Sequence, residues 1–225
     1  MSSMKFDAVA FDLDGTLYPD WRFYIKIVPS AIKNFRLMFA FRNARNYLRK
    51  TGETGGGFYD MQAALCAKVI GSNNIETRIK IISNIYDTWQ KKYKNLKLYP
   101  FVPETLKLFR QRGLKLGLLT DFQLKNRLDD LRLSNLFDVE LCSEDIGALK
   151  PHKKPFQQLS QDLETDPQRI LYVGNNLNYD IFGAKNAGFG AAALLSRNPF
   201  AKKEKHRFAD FVFNDYRQLQ RFVLE

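Results

Sequence analysis

The sequence predicts an α/β fold: a doubly wound parallel sheet that is interrupted, after its first strand, by an all-helical insertion. Two observations lead to this prediction. In residues 99–225, short apolar runs alternate with stretches of helical periodicity, which is the pattern of parallel β-α-β units. In residues 20–98, helical periodicity appears without any convincing strand. We therefore expect a sheet domain formed by residues 1–19 and 99–225, and a helical domain formed by residues 20–98.

The first apolar run, from Phe6 to Phe11, is typical of a buried strand. It leads directly into Asp12 and Asp14, which are followed by the turn residue Gly15. Both acids lie just beyond the carboxyl end of the strand, where open α/β sheets place ligand sites. Their spacing of two residues points both side chains the same way in an extended chain. Two carboxylates so close together can bind a hard cation, or divide nucleophilic and acid–base work between them.

Three helices are predicted in the insertion, over about Val28–Lys50, Phe58–Ile70 and Ile75–Tyr93. Pro29 lies near the expected start of the first, as helix beginnings favour, and Gly71 suits the end of the second. Residues 51–57 between these two helices are rich in glycine and predict a loop. That loop lacks the following Lys-Ser or Lys-Thr of a phosphate-binding P-loop.

The alternation of strands and helices then resumes and continues to the end of the chain. Further helices are predicted over Val102–Arg112, Gln123–Leu131, Pro155–Leu163, Ile181–Ala187 and residues 216–224. Strands are predicted over Leu114–Leu119, Val139–Cys142, Ile170–Val173, Ala191–Leu195 and Phe211–Phe213. Gly113 and Gly188 mark two of the helix ends, and Pro155 lies in the first turn of its helix.

Four short motifs follow one another along the chain, close to the ends of predicted strands or the starts of helices. They are Asp12-Leu13-Asp14-Gly15-Thr16, Thr120-Asp121, Leu149-Lys150-Pro151, and Gly174-Asn175-Asn176 followed by Asp180. In residue types and in order, these motifs resemble those of the haloacid dehalogenase-like (HAD) superfamily. The four motifs together span nearly the whole chain. The resemblance implies a HAD-like Rossmannoid α/β core with an all-α cap inserted after the first strand.

The same resemblance implies a phosphatase that forms an aspartyl-phosphate. Asp12 is then the nucleophile and Asp14 the general acid/base. Thr120 would donate its hydroxyl to the phosphoryl oxygens, and Lys150 would neutralise their charge. The acid at position 14 favours phosphoester chemistry, because the true dehalogenases of the superfamily lack an acid there. The implied substrate is a small phosphomonoester.

Magnesium is the cofactor that the resemblance implies, held by Asp12, Asp14 (through its main-chain carbonyl), Asn175 and Asp180. Position 175 departs from the family pattern, in which an Asp binds the ion directly. An amide oxygen can coordinate Mg²⁺ but brings no negative charge, so we expect weaker metal binding. Asp180 is expected to bind through water or to hold Lys150 in place. The alternative is a catalytically weak binding or regulatory protein that keeps the fold.

The formal net charge of +11 is concentrated in the insertion. Residues 20–98 contain 15 Lys and Arg against 5 Asp and Glu, and therefore carry +10 of it. Arg42, Arg45 and Arg49 recur at helical spacing and fall on one helix face. The aromatic residues interleaved with this charge are Trp21, Phe23, Tyr24, Phe35, Phe39 and Phe41. One interpretation is a surface that binds a large anionic substrate, nucleic acid or a membrane. We favour the other, in which the aromatic rings pack inward and the cations lie in water.

Few other features of the sequence point to chemistry. Cys66 and Cys142 are too few for a disulfide framework, and we expect both to be buried thiols. Four further polar residues are expected at the surface: Glu144, Asp145, His152 and His206. Residues 1–5 lack the cationic and apolar pattern of a signal peptide, and no apolar run of about 18 residues appears, so we expect a cytoplasmic protein without a membrane span. The oligomeric state stays open.

Overall fold

The computed structural model describes residues 5–55, 57–196 and 208–225. The strands are β1 (Ala8–Phe11), β2 (Lys115–Thr120), β3 (Val139–Cys142), β4 (Ile170–Gly174), β5 (Ala191–Leu195) and β6 (Phe211–Phe213). They form one parallel sheet in the order β3-β2-β1-β4-β5-β6. Because the chain leaves β1 first towards one edge and later towards the other, the sheet is doubly wound, as predicted.

The side chains of β1 alternate between two apolar cores, one on each face of the sheet. Ala8 and Ala10 belong to the smaller core, and Val9 and Phe11 belong to the larger one. All four residues are fully buried. The central strand is therefore fixed from both sides, and this fixes the position of Asp12, which follows it directly.

Helices α1 (Asp20–Lys33), α2 (Phe35–Thr51), α3 (Phe58–Ile70), α4 (Asn74–Ile81) and α5 (Asp87–Tyr93) make up the helical insert, residues 20–98. A π-helical turn, Ile82–Tyr86, joins the last two. The described residues of the insert form no strand. The bounds of α3 are those that the sequence predicts.

The prediction of one helix over Val28–Lys50 is wrong at its start and in its continuity. The helix begins at Asp20, and the backbone leaves helical geometry at Asn34. Pro29 therefore lies inside α1 instead of at its beginning. The turns before Pro29 are stabilised by tertiary packing, since Phe23 and Ile27 are buried in the core. A proline-based helix start is a local signal, and burial of those two side chains outweighs it.

The remaining helices lie outside the insert. They are α6 (Val102–Gln111), α7 (Arg127–Asp130), α8 (Ser143–Ile146), α9 (Lys153–Asp162), α10 (Phe182–Asn186) and α11 (Tyr216–Leu224). A π-helical turn, Leu177–Ile181, precedes α10. The predicted helix over Gln123–Leu131 is wrong in extent, because Lys125 has a positive φ of 41° and interrupts it.

Both cysteines are buried free thiols, as predicted. Burial raises the pKa of the Cys66 thiol to about 12, so it stays protonated near neutral pH. No helix in the described part of the chain is long and apolar enough to cross a membrane.

Candidate active site

Asp12 occupies the carboxyl end of the central strand and is almost fully buried. Its backbone N–H donates to the carbonyl of Val173, which continues the ladder between β1 and β4 by one residue. One carboxylate oxygen, Oδ1, accepts a hydrogen bond from Lys150 Nζ at 2.7 Å. The other, Oδ2, accepts from the Thr16 hydroxyl at 2.8 Å. The carboxylate is thus held in one orientation from both sides.

Lys150 is the centre of a buried polar cluster. Its ammonium lies 2.7 Å from Asp12 Oδ1 and 2.7 Å from Asp180 Oδ1, and it also contacts the Leu119 carbonyl and the Tyr172 hydroxyl. Burial alone lowers the pKa of Lys150, but the two carboxylates outweigh burial and raise that pKa. Lys150 is therefore a fixed positive charge next to Asp12.

The pKa of Asp12 moves in the opposite sense from that of most ion-paired acids. Burial raises it most, Lys150 lowers it, and the neighbouring charges of Asp180 and Asp14 raise it, so that the pKa of Asp12 lies at about 7. Asp12 and Asp180 share one lysine here. Asp12 consequently lies in a site that is short of positive charge.

Asp180 has both carboxylate oxygens occupied. Oδ1 accepts from Lys150 at 2.7 Å, and Oδ2 accepts the backbone N–H of Asn176 at 2.9 Å. Gly174 makes this packing possible, since a β-carbon there would lie 2.3 Å from the Asp180 side chain. Asp180 thus holds Lys150 in place. The other role expected from the sequence, binding of a metal through water, stays a prediction.

Asn175 covers the turn after β1. Its Oδ1 lies 3.3 Å from the Thr16 hydroxyl, the same hydroxyl that donates to Asp12 Oδ2. Gly15 is required beneath it, with φ of 84° and only 2.2 Å between the place of a β-carbon and Asn175 Nδ2. The described residues hold no group of three or more His, Cys, Asp and Glu side chains arranged for a metal.

Asp14 is engaged by three donors. Arg127 and the Tyr18 hydroxyl both bond to Oδ1, and the Thr120 hydroxyl donates to Oδ2 at 3.1 Å. Burial alone raises the pKa of Asp14, but Arg127 and the hydroxyl donors outweigh it and bring that pKa below its usual range. Arg127 is itself buried and lies 4.2 Å from the centre of the Tyr93 ring. In this arrangement Asp14 is ionised.

Sequence reasoning missed both Arg127 and Tyr18. Arg127 lies more than 110 positions from its partner, Asp14, in a stretch predicted only as a helix. Nothing in its own neighbourhood marks it as buried. Tyr18 follows Asp14 by four residues, and a polar aromatic residue this close to the first motif is the signal that could have identified it.

Two arginines of α2 point into the site, contrary to the favoured prediction that the cations of this face lie in water. Arg45 is buried and forms an ion pair with Glu144, and its Nη2 donates to the Asp121 carbonyl at 3.1 Å. Arg49 pairs with Asp121 at 2.6 Å and donates to the Lys150 carbonyl. These bonds attach the insert to the sheet domain. Arg42, on the same helix, is exposed.

The prediction that Glu144 lies in an exposed loop is wrong. It is buried, and besides Arg45 it accepts a hydrogen bond from the Tyr86 hydroxyl at 2.8 Å. Asp145 is exposed, as predicted. His152 is half-buried, and its Nδ1 accepts the backbone N–H of Lys154. His206 lies outside the described residues.

Asp121 is a third residue of the site that sequence reasoning did not single out, although it belongs to the second motif. Burial alone raises its pKa, but Arg49, Lys150 and Arg45 outweigh burial and lower that pKa to about 2. Its Oδ1 also accepts the backbone N–H of Lys150 at 3.2 Å. The Asp121 carboxylate thus connects the insert to the loop that carries Lys150.

A cavity of about 190 Å³ opens between the helical insert and the carboxyl edge of the sheet. The residues that face it include Asp12, Asp14, Lys150, Asn175, Arg49 and Tyr24. Residues from all four sequence motifs meet within this region, because the carboxyl ends of parallel strands lie along the same edge.

The family can now be identified. A family model described as haloacid dehalogenase-like hydrolase matches residues 9–194, a span that includes all four motifs. The chain belongs to the haloacid dehalogenase-like hydrolase family. This membership agrees with the resemblance that the four motifs indicate.

Curated relatives of this haloacid dehalogenase-like hydrolase align along nearly its whole length. It is 27% identical to the glyceraldehyde 3-phosphate phosphatase of Methanothermobacter thermautotrophicus, over 96% of this chain and 99% of that protein. It is 28% identical to the phosphoglycolate phosphatase of Haemophilus influenzae, over 96% of this chain and 97% of that protein.

Solved structures share the fold of the chain. A dehalogenase crystal structure superposes with a TM-score of 0.69 at 17% identity and covers 99% of both chains. A predicted phosphoglycolate phosphatase from Haemophilus somnus superposes with a TM-score of 0.66 at 22% identity, over 98% of this chain and 99% of its own. Because dehalogenase and phosphatase structures match equally well, the fold does not decide between these reactions.

Proposed function

We propose that this chain is a magnesium-dependent phosphatase that hydrolyses a small phosphomonoester through an aspartyl-phosphate on Asp12. The pairing of Asp12 with Lys150, 2.7 Å apart at the carboxyl edge of the sheet, carries the proposal. A carboxylate held beside a fixed cation suits attack on phosphorus, because the cation also neutralises the phosphoryl oxygens. The two phosphatases that align with nearly the whole chain support the same chemistry.

The proposed reaction has two steps. In the first, an Asp12 oxygen forms a bond to phosphorus while the bond from phosphorus to the ester oxygen breaks, and the leaving oxygen takes a proton from Asp14. In the second, water attacks the phosphorus of the aspartyl-phosphate and gives a proton to Asp14. Inorganic phosphate and the Asp12 carboxylate are released. One water is consumed, and both acids return to their starting forms.

Asp14 must carry a proton to act as the acid, and its resting contacts oppose this. Arg127, Tyr18 and Thr120 all stabilise the ionised carboxylate. The proposal therefore includes a movement in which Asp14 leaves Arg127 and turns towards the leaving oxygen. The same movement frees the Thr120 hydroxyl, which can then donate to a phosphoryl oxygen.

The donor set fits a magnesium ion. Asp12 Oδ2 and Asn175 Oδ1 lie around one hydroxyl, that of Thr16, and the main-chain carbonyl of Asp14 belongs to the same turn. These are hard oxygen donors, and Mg²⁺ commonly takes only one or two carboxylates while it keeps several waters. A bound ion would supply positive charge beside the Asp12 carboxylate, where burial and the neighbouring acids raise the pKa of Asp12, and would neutralise charge on the phosphoryl oxygens.

The cavity favours a small substrate. Its volume of about 190 Å³ is below the range typical for sites that enclose drug-sized ligands. Arg49 faces this cavity and is the cation of the insert placed to contact the part of the substrate beyond the phosphate. The two relatives are named as phosphatases of glyceraldehyde 3-phosphate and of phosphoglycolate. These two small compounds are therefore the first to test.

A catalytically weak binding protein is the second candidate, and Asn175 is the observation that favours it. The site would then hold phosphate without turnover. Binding of nucleic acid by the insert is less favoured, because Arg45 and Arg49 are engaged by the sheet domain and are withdrawn from the surface.

The deciding experiment is release of inorganic phosphate from a panel of phosphomonoesters over a wide range of magnesium concentration. The expected result is magnesium-dependent turnover that is abolished by Asp12→Asn. Absence of turnover at every magnesium concentration, with phosphate binding retained by the folded protein, would establish the second candidate instead. Turnover that survives Asp12→Asn would exclude the aspartyl-phosphate mechanism.

A further inference from the structure

The outward face of α1 and α2 is an exposed apolar stripe. We define this outer stripe by seven side chains: Trp21, Tyr24, Ile25, Val28, Ile32, Phe35 and Phe39. Between 48% and 70% of each is exposed. Backbone hydrogen bonds from Asn34 to Ser30 and from Met38 to Asn34 carry the helical repeat across the break. At 3.6 residues per turn, the seven positions fall within an arc of about 100°.

The fold does not use this stripe. The opposite side of the same helices does the packing, with Phe23, Ile27, Leu37 and Phe41 all buried. Phe23 stacks on the ring of Tyr93 with 4.6 Å between ring centres. Since the inner face already anchors both helices, the outer stripe is surplus apolar surface. A contiguous apolar patch of this kind marks an interaction site.

Basic side chains lie beside the α2 end of the outer stripe. Lys33, Arg36 and Arg42 are exposed on or beside its helical turns. At the far end, a cavity of about 680 Å³ is lined by Lys33, Arg36 and Lys80 together with Phe35. The insert as a whole carries +10. Two copies of this face would repel each other, so the charge favours an anionic partner over self-association.

The chemistry of the stripe fits a lipid bilayer better than a nucleic acid. Its centre consists of aliphatic Ile25, Val28 and Ile32, with the cations at its margins. Nucleic-acid surfaces instead place cations along the phosphate path and use aromatic rings to stack bases. Interfacial helices have the observed arrangement, with apolar and aromatic side chains on one side and Lys and Arg beside them. Trp21 and Tyr24 belong to the residue types that prefer the headgroup level.

We propose that the outer stripe docks this protein on the surface of an anionic lipid bilayer. The apolar side chains would enter the boundary between headgroups and acyl chains, and the surrounding Lys and Arg would contact lipid phosphates. Tyr24 belongs both to the stripe and to the lining of the active-site cavity, so docking brings the mouth of that cavity close to the membrane. The inference does not depend on the proposed phosphatase activity.

Vesicle binding tests the inference directly. The full chain is mixed with vesicles of phosphatidylcholine containing phosphatidylglycerol, and with vesicles of phosphatidylcholine alone. We expect co-sedimentation with the anionic vesicles that weakens as salt is added. Brominated lipids provide a second readout, because Trp21 is 55% exposed while the other tryptophan, Trp89, is only 8% exposed. Quenching should therefore come from Trp21 and disappear in Trp21→Phe.

A pair of matched variants locates the contact. Ile32→Gln with Phe35→Gln removes two stripe side chains that are 70% and 68% exposed, and should lower the vesicle partition coefficient by at least about tenfold. Ile75→Gln with Ile79→Gln removes two side chains of α4 that are 77% and 60% exposed, and should leave it unchanged. Neither pair touches the active-site cavity.

Several results would overturn the inference. Failure of the wild-type chain to bind anionic vesicles is one, and equal loss of binding in both paired variants is another. The inference would also be overturned if sedimentation equilibrium showed that the wild-type chain is a dimer, that only Ile32→Gln with Phe35→Gln dissociates this dimer, and that the wild-type chain does not bind vesicles. Salt-sensitive binding of a single-stranded oligonucleotide by a chain that does not bind vesicles would favour nucleic acid instead.

Discussion

Replacement of Arg127 by methionine removes the cation that holds Asp14. The guanidinium is 1% exposed, and it is enclosed by the Asp14 carboxylate and the ring of Tyr93 at 4.2 Å. Loss of one partner from a buried ion pair costs about 3–5 kcal/mol. The Asp14 side chain is 25% exposed and keeps Tyr18 and Thr120 as donors. We therefore expect the lower end, a loss of about 3 kcal/mol in the free energy of unfolding near pH 7.

The loss should depend on pH in a defined direction. In the wild type the pKa of Asp14 is lowered on folding, so its ion pair stabilises the protein above the unfolded pKa of about 3.9. That contribution is lost as pH falls through the folded pKa. In Arg127→Met the pair is absent at every pH. The difference in unfolding free energy between the two proteins should accordingly be largest near neutrality and become smaller below about pH 4.

Urea denaturation at several pH values measures this difference, and a double-mutant cycle with Asp14→Asn isolates the pair. We expect Arg127→Met and Asp14→Asn to be strongly non-additive, with a coupling of about 2 kcal/mol at pH 7. Arg127→Lys keeps the charge and should lose less stability. The reasoning would be refuted if the two losses of unfolding free energy were additive, or if the loss in Arg127→Met stayed constant between pH 3 and pH 7. Without Arg127 the pKa of Asp14 rises, so the alkaline limb of the kcat profile should move to higher pH.

Two further predictions concern the metal site and the attachment of the insert. Asn175→Asp supplies the missing carboxylate and should lower the magnesium concentration for half-maximal turnover by about tenfold or more. The control Asn176→Asp adds the same charge one position further along the chain and should change that concentration less. Arg49→Gln should lower the unfolding free energy by about 1–2 kcal/mol at pH 6, because Arg49 helps to keep the pKa of Asp121 at about 2. This deficit should fade as pH drops below about 4 towards 2, where Asp121 becomes protonated, and the exposed Arg42→Gln should have no such effect. Turnover at varied magnesium concentration tests the first prediction, and urea denaturation at varied pH tests the second.

The sheet could be predicted from the sequence because each strand is a short apolar run between turn signals. Strands β3, β5 and β6 have the bounds that the sequence predicts, and the others differ by one or a few residues. Burial on both faces leaves little alternative for such a run. The meeting of Asp12, Thr120 and Lys150 could be predicted for a related reason. Parallel strands bring their carboxyl ends to one edge, so residues far apart in sequence converge there.

The buried ion pairs could not be predicted in this way. Arg127 and Glu144 are charged residues in polar stretches, and local pattern assigns such residues to the surface. Their burial depends on partners about 100 or more positions away, Asp14 for one and Arg45 for the other. Sequence periodicity says which residues share a helix face, but it does not say what that face meets.

Helix α2 shows why this limit matters for the charge of the insert. Arg42, Arg45 and Arg49 were predicted on one face and were all assigned to solvent. In the structure, Arg45 and Arg49 form ion pairs that attach the insert to the sheet domain. Of these three arginines only Arg42 is exposed. Three exposed positions, Lys33, Arg36 and Arg42, lie beside the outer stripe, where an apolar surface without a role in the packing of the fold is also found.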